Sequence, residues 1–264
     1  MRQFLILSCL LLAASTQRAD AQATAALVPE ANPGRPTVST PATLTPVGYL
    51  QFETGILGAN HSAEFSSQVG LNEVIKFSVA SRWQLIASAE PAVHSTVQGV
   101  TSDGIADAFL GAQAVLKPGE GAKPTISASY FRRVYGGSPP DLDIGSALNS
   151  AIILASADVK SFHYDTNVIV NEVVQGSTRR AQFGQTLSIS HPIAEKISVS
   201  GEIWHFTQPF LSGNAVGNLW AVSYETRKNL VLDTGFNRGL TGTSTRWEVF
   251  VGFTYLLPHR FLGR

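Results

Sequence analysis

The run Arg246-Trp247-Glu248-Val249-Phe250-Val251-Gly252-Phe253-Thr254-Tyr255-Leu256-Leu257 decides the fold. Its odd positions, Trp247, Val249, Val251, Phe253, Tyr255 and Leu257, are apolar or aromatic. Its even positions begin Arg246, Glu248, Phe250, Gly252 and Thr254, which are charged, small or hydroxylated except for Phe250. Successive side chains on a strand point to opposite faces, so this is a two-faced β-strand with one greasy side. A strand this long and aromatic, near the end of an exported chain, predicts the closing strand of an outer-membrane type β-barrel.

Export is read from residues 1–21. Arg2 supplies a positive start, Phe4 to Ala14 is an apolar core too short to span a bilayer, and Ala19-Asp20-Ala21 is an A-x-A cleavage site. Cys9 lies inside that apolar core, and Ile6-Leu7-Ser8 before it makes a poor lipobox. The mature chain, from Gln22, therefore has no cysteine and no disulfide. Removing Arg2, Arg18 and Asp20 leaves 17 basic and 18 acidic residues, a balance that gives no reason to expect nucleic acid. No later stretch reaches the roughly 20 apolar residues of a membrane helix, and ordinary hydrophobic content suits a wall that shows lipid every second residue.

Working outward, residues 22–46 form a low-order lead-in. Pro29, Pro33, Pro36, Pro41 and Pro46 remove amide donors and forbid a regular ladder, so the segment reads as a periplasmic tail or a partial plug. From 47 to 257 the sequence predicts one domain, an all-β, single antiparallel transmembrane β-barrel of about 12 strands, with a tail at 258–264. The strands fall near 47–57, 64–79, 83–97, 104–117, 124–135, 149–157, 161–175, 179–190, 196–206, 218–226, 229–238 and 245–257. Tight turns at 80–82, 118–123, 158–160, 192–195 and 227–228 alternate with longer or Gly-rich links at 58–62, 98–103, 136–148, 207–217 and 239–244. The link at 176–178 is short where a long one is allowed. Short turns on one side and longer loops on the other are what a barrel with both termini in the periplasm requires. Two places misfit: Glu73 falls on the lipid phase unless a bulge shifts the register, and Pro91 interrupts its strand and suggests a bulge.

Several stretches resemble one family, the transporter-like outer-membrane barrels that include the phenol meta-pathway proteins. Arg35-Pro36-Thr37, followed by Val47-Gly48-Tyr49-Leu50-Gln51-Phe52-Glu53-Thr54-Gly55, resembles that family's opening strand. Lys76 to Leu85 resembles its first hairpin, and Asp158 to Asn167 its central one. Gly104-Ile105-Ala106-Asp107 is similar to its Gly-x-Gly-Asp strand start, with Ala106 in place of the second Gly. The resemblance implies a monomeric channel for small, often hydrophobic compounds, and fold-level likeness does not name the cargo. Gly252, Tyr255 and Leu257 resemble the signal read by the outer-membrane assembly machinery on last strands, although Phe250 sits where a polar residue is commoner.

Candidate lumen-lining charges are Glu53, Glu90, Asp107, Asp165, Glu202, Glu225, Asp233 and Glu248, with Lys76, Arg133, Arg180 and Arg246. They fit either a mildly negative selectivity lining or an ion-pair network filling a narrow barrel, and their mixed signs favour pairing. Arg246 and Glu248 are expected to form one inward pair. Trp204 and Tyr49 share the lumen phase, to stack on cargo or to pack the interior. Trp83, Trp220, Trp247, Tyr130, Tyr224 and Tyr255 are expected in interfacial girdles if they face outward.

His163 and Asp165 share the lumen face with Ser188 and Ser190 on the next strand, so a Ser-His-Asp set is conceivable. No Gly-x-Ser-x-Gly elbow accompanies it. The six histidines show no metal spacing, Asp141-Leu142-Asp143 in the longest loop could bind calcium but reads as a solvated loop with too few ligands in sequence reach, and no P-loop or dinucleotide fingerprint occurs. No cofactor or metal is expected. The leading reading is passive passage of small molecules, hydrophobic or aromatic ones included, across the outer membrane. A structural or adhesive barrel with a blocked lumen stands second, and an outer-membrane lipid or ester hydrolase is a distant third.

Overall fold

The computed structural model describes residues 29–138, 147–211 and 213–262; the expected signal peptide and Asp141-Leu142-Asp143 lie outside them. The chain runs through β1 (Tyr49–Asn60), β2 (Ser67–Ala80), β3 (Trp83–Val97), β4 (Val100–Gly104), β5 (Ala108–Lys117), β6 (Thr125–Tyr135) and β7 (Ala147–Val159). It continues through β8 (Phe162–Gln175), β9 (Thr178–Ala194), β10 (Ile197–Thr207), β11 (Asn214–Arg227), β12 (Leu230–Gly239) and β13 (Trp247–Arg260). Neighbouring strands pair antiparallel, and β1 pairs with β13 from Asn60↔Trp247 to Tyr49↔Arg260. That last ladder closes the wall, so the two-faced run at 246–257 is part of the closing strand, as its alternation predicts.

Twelve strands make the closed barrel, and one extra strand comes from a break in the expected 104–117 segment. β3 pairs with β5 along Trp83–Ala89 and with β4 along Val93–Val97. The expected long link at 98–103 is instead a two-residue turn, Gln98-Gly99, with φ of 50° and 82°. Left-handed residues at both central positions match the twist of a tight hairpin, so β4 folds straight back on β3. Among the described residues no strand pairs with its other edge, and Ile105 to Asp107 carries the chain across to β5. β13 also outlasts its expected end, running through Pro258 to Arg260. Pro258 is tolerated because β12 stops pairing at Tyr255 and the β1 register shifts between Tyr49 and Gln51.

The two faces are inverted relative to a protein in water. Outward residues such as Ile56, Leu85, Val168, Phe183, Ile203, Val249 and Val251 are exposed. Gln51, Lys76, Gln84, Gln113, Asn167, Gln182, Glu202, Asp233 and Thr254 are buried inside. Only a bilayer solvates such a wall. Trp83 and Tyr224 stand exposed at the end bearing the short turns, and Trp247 at the end bearing the loops, as girdles require, whereas exposed Tyr130 is mid-strand on β6. Trp220 is mid-strand instead, lying over Gly201.

Pro91 does mark a bulge: Leu71 pairs with Ala92 but Glu73 with Ala89. The extra residue is on β3, so the β1–β2 register runs unbroken and Glu73 stays on the outer face. There its carboxylate accepts the Thr54 hydroxyl at 2.6 Å, a local hydrogen bond that offsets part of its desolvation. An arginine placed in the apolar band has no such neighbour. Val251→Arg is expected to lower stability in lipid vesicles by about 2–4 kcal/mol, and Trp247→Arg near the strand end by about 0–1 kcal/mol. Urea unfolding in vesicles followed by tryptophan fluorescence, with Trp247→Phe as the parent for the second variant, measures both.

Candidate functional site

Residues 31–46 enter the barrel and occupy its lumen. An irregular segment buried there must satisfy its backbone amides without a ladder. Prolines 33, 36, 41 and 46 bring no amide at all. Most of the others find partners around the lumen. Ala31 N–H donates to the Lys228 carbonyl at the turn-bearing end. Asn32 N–H donates to Gln51 at 2.9 Å and Gly34 N–H to Glu53 at 3.0 Å, both on β1. Val38 and Ser39 N–H both donate to the Glu202 carboxylate on β10 at 2.7 Å. Thr40 N–H reaches Asn167 on β8, Ala42 N–H reaches Ser156 on β7, and Thr45 N–H reaches Gln84 on β3. In return, the side chains of Gln113 on β5 and Ser127 on β6 donate to carbonyls of the segment. Of the two readings of the lead-in, tail or plug, the described residues form a plug.

Arg35 is its charged anchor. Its Nε and Nη2 donate to the two oxygens of Asp233 on β12 at 3.2 and 3.0 Å, a bidentate pair. The guanidinium also lies 5.9 Å from the centroid of Phe250. Gly55 of β1 and Gly252 of β13 pair directly across the closing ladder. A Cβ at either would collide with this guanidinium, so the two glycines make the floor of the arginine's seat. A second ion pair, Lys76 Nζ to Glu53 at 2.5 Å, is buried beside Gly34. Phe250, the residue that breaks the polar face of the last strand, thus has a place: it packs with Leu219, Ala221 and Leu57 and under Arg35.

The lumen also carries an apolar patch. Ile169, Trp204, Phe206 and Ala215 cluster on β8, β10 and β11, with Ile152 and the plug residue Val38 against them. Trp204 donates its indole N–H to Asn237 at 2.9 Å, and Asn237 donates to Glu248. Gly217 lies beneath the Trp204 ring and Gly184 beneath Phe206, each leaving no room for a Cβ. Between the plug and the β8–β12 wall, a polar cavity of about 390 Å³ is lined by Ser190, Ser198, Ser200, Ser223, His163 and Glu225.

The nominated charges divide into groups. Glu53, Lys76, Glu202 and Asp233 surround the plug, as just described. Glu90 accepts from Asn72 on β2, and Asp107 binds Arg133 at 2.9 Å and the Gly137 N–H at 2.8 Å, tying the break between β4 and β5 to β6. Asp165 holds His163 and the Ser156 hydroxyl. Arg246 does not line the lumen and does not pair with Glu248: it is exposed, one residue before β13, and its amide binds the His61 carbonyl. Two residues along a strand would share a face only if the strand began earlier. Arg180 is also exposed; it has the inward phase, but stands at the rim, donating to the Pro209 carbonyl 5.0 Å over the Phe210 ring. Tyr49 is half-buried opposite Arg260 at the turn-bearing end. The role of Arg35 and of most inward amides and hydroxyls is not legible from strand phase alone, because Arg35 stands outside the strands and the plug's path is not written locally. Gly55 and Gly252 in the inward phase were the signal that something large approaches there.

The register sets His163 opposite Ser190 and Asp165 opposite Ser188. Both His163 nitrogens are engaged by carboxylates, Nδ1 by Asp158 at 2.7 Å and Nε2 by Asp165 at 3.1 Å. Neither is left to accept a serine proton, and Ser190 bonds to Ser200.

Comparison with known proteins supports the architecture. No family model and no curated protein matches the sequence. Among solved structures, a COG4313 outer membrane channel from Pseudomonas putida F1 is similar with a TM-score of 0.59 and 12% identity, over 82% of this chain and 98% of that one. The KdgM porin is similar with a TM-score of 0.54 and 13% identity, over 78% of this chain and 98% of that one. At this identity the likeness is one of fold: the chain folds as an outer-membrane channel-type β-barrel.

Proposed function

We propose that the protein is an outer-membrane channel for passive passage of small molecules, closed at rest by residues 31–46 and opened when that segment shifts. The observation that carries this reading is the plug itself, whose amides are held one by one by inward side chains of the wall. In this reading the barrel is a monomer whose turn-bearing end and both termini face the periplasm. The likeness to a COG4313 channel and to a porin supports a transport role. The lumen offers amides and hydroxyls beside the apolar patch at Trp204 and Phe206, a lining suited to small amphipathic solutes, aromatic ones included.

The same plug favours a second reading, a structural barrel that never opens. Arg35 separates the two. Its removal leaves the buried Asp233 carboxylate without its cation, which costs about 3–5 kcal/mol for a buried pair and less here because Arg35 is partly exposed. In planar bilayers, Arg35→Ala is expected to raise the open fraction over the full chain by about tenfold or more. The reversed pair Arg35→Asp with Asp233→Arg is expected to restore most of the closure. Silence from every variant, each shown folded by its gel mobility before and after heating, would establish the structural barrel instead.

A hydrolytic role fits poorly with His163 clamped between two carboxylates, and we read the protein as a non-enzyme. Ser188→Ala is expected to leave ester and lipid hydrolysis at the background of the unaltered protein. A loss of measurable hydrolysis in that variant would reinstate the serine as a nucleophile.

A further inference from the structure

On the outer face of the barrel, the described residues include a charged cluster that the plug and the lumen do not explain. It spans four adjacent strands at the loop-bearing end. Tyr130 and Arg132 lie on β6, Asn149 on β7, Glu172 on β8 and Arg179 on β9. All five take the outward phase, because Arg132 pairs across to Asn149 and Asn149 to Glu172 in the ladder. Their side chains form one network. Tyr130 donates its hydroxyl hydrogen to Asn149 Oδ1 at 2.6 Å, and Arg132 Nη1 donates to the same oxygen at 3.0 Å. The Asn149 amide donates to Glu172, and Arg179 donates to the other Glu172 oxygen at 2.9 Å. One carboxylate therefore faces two guanidiniums, and Arg180 adds a third cation at the edge.

The network borders a groove of about 350 Å³ whose floor is apolar, with Ala151, Val170 and Ala181. Phe183 faces the bilayer beside the floor, opposite Val170, and below it the wall continues as Ile153 and Val168. The cluster, near the loop-bearing ends of β6 to β9, thus stands where hydrocarbon gives way to headgroups, and the Tyr130 hydroxyl reaches up to it through Asn149. An isolated exposed ion pair contributes little to stability and gives no reason to concentrate arginines here. A guanidinium fork presents five N–H donors in a geometry that matches phosphate oxygens two at a time. Asn149 and Glu172 fix the two forks in place, lowering the entropy lost when an anion docks. Cations above and a greasy floor below complement an amphiphile with an anionic head, as do other basic lipid-binding pockets.

We propose that this groove binds a phosphate of the outer-leaflet glycolipid, with an acyl chain lying along Ala151, Val170 and Ala181. The assignment rests on the orientation given above, which puts the loop-bearing end outside the cell.

The purified full chain, folded in detergent, would be incubated with a bis-phosphorylated lipid A and separately with its dephosphorylated form, and bound lipid counted by native mass spectrometry. Retention of the phosphorylated form is expected to exceed the other by about tenfold or more, and Arg132→Gln with Arg179→Gln to remove that preference. The lysine pair Arg132→Lys with Arg179→Lys is expected to keep part of it, since charge survives without the fork. Equal retention of the two lipids, or an unchanged preference in the glutamine variant, would overturn the site. Displacement by equimolar inorganic phosphate would also overturn it, because the groove would then be a site for the free anion. Heat-modified gel mobility of each variant excludes misfolding. Orientation is read independently by a membrane-impermeant maleimide on intact cells carrying Ser177→Cys, with the unaltered protein as the control for Cys9, which lies in the expected signal peptide. Labelling from outside is the expected result; protection would sink the orientation even if lipid A bound.

Discussion

Every backbone amide and carbonyl in this protein must find a partner where water is scarce, and the rest of the structure follows from that requirement. In the wall the solution is closure: β13 returns to β1, so the first and last wall strands pair with each other. In the lumen no strand is available for residues 31–46, and the solution is different. The wall turns glutamines, asparagines, serines and carboxylates inward, and these take up the segment's amides one at a time. Prolines thin out the donors that need such care. The inward polar face of the barrel is therefore first a cradle for the chain's own N-terminal part.

That cradle is neither a uniform filter nor a uniform ion-pair network. Charges at its centre work singly on the plug: Glu202 on two amides and a hydroxyl of Val38 and Ser39, and Asp233 on Arg35. Others knit the wall, as Asp107 does between Arg133 and Gly137. A seat made of many modest hydrogen bonds and one partly exposed ion pair can be vacated in steps, which is the property a gated channel needs. The apolar cluster around Trp204 and Phe206 touches Val38, so displacing the plug would also uncover the greasy part of the lumen.

The sequence made some of this legible and hid the rest for identifiable reasons. Alternation marked nearly every wall strand, because period-two patterning is local and a lipid-facing surface enforces it strongly. Short turns separated from loops in the same way. The β4 arm was not legible, since Gln98-Gly99 reads equally as part of a longer loop. Glu73 misfitted the pattern and still faces outward, because Thr54 meets it locally. Arg246 was misassigned by counting phase past the end of the strand. Arg35 stands in a family-like motif, but its role as an anchor is hidden in the sequence because its partner Asp233 is 198 residues away and its seat is made of glycines that carry no chemistry of their own.

By itself, then, the sequence determined a two-faced β wall, its approximate strand count and its outward greasy face, because each depends on residues only a few positions apart. The tertiary structure decided what the inside is for. Whether a proline-rich lead-in hangs free or enters the barrel depends on which distant side chains point at its amides, and only the closed ladder brings Gly55, Gly252, Phe250 and Asp233 around Arg35. The strand from Trp247 to Arg260 belongs to both accounts: its alternation announces the barrel, and its inward residues build one wall of the plug's anchor.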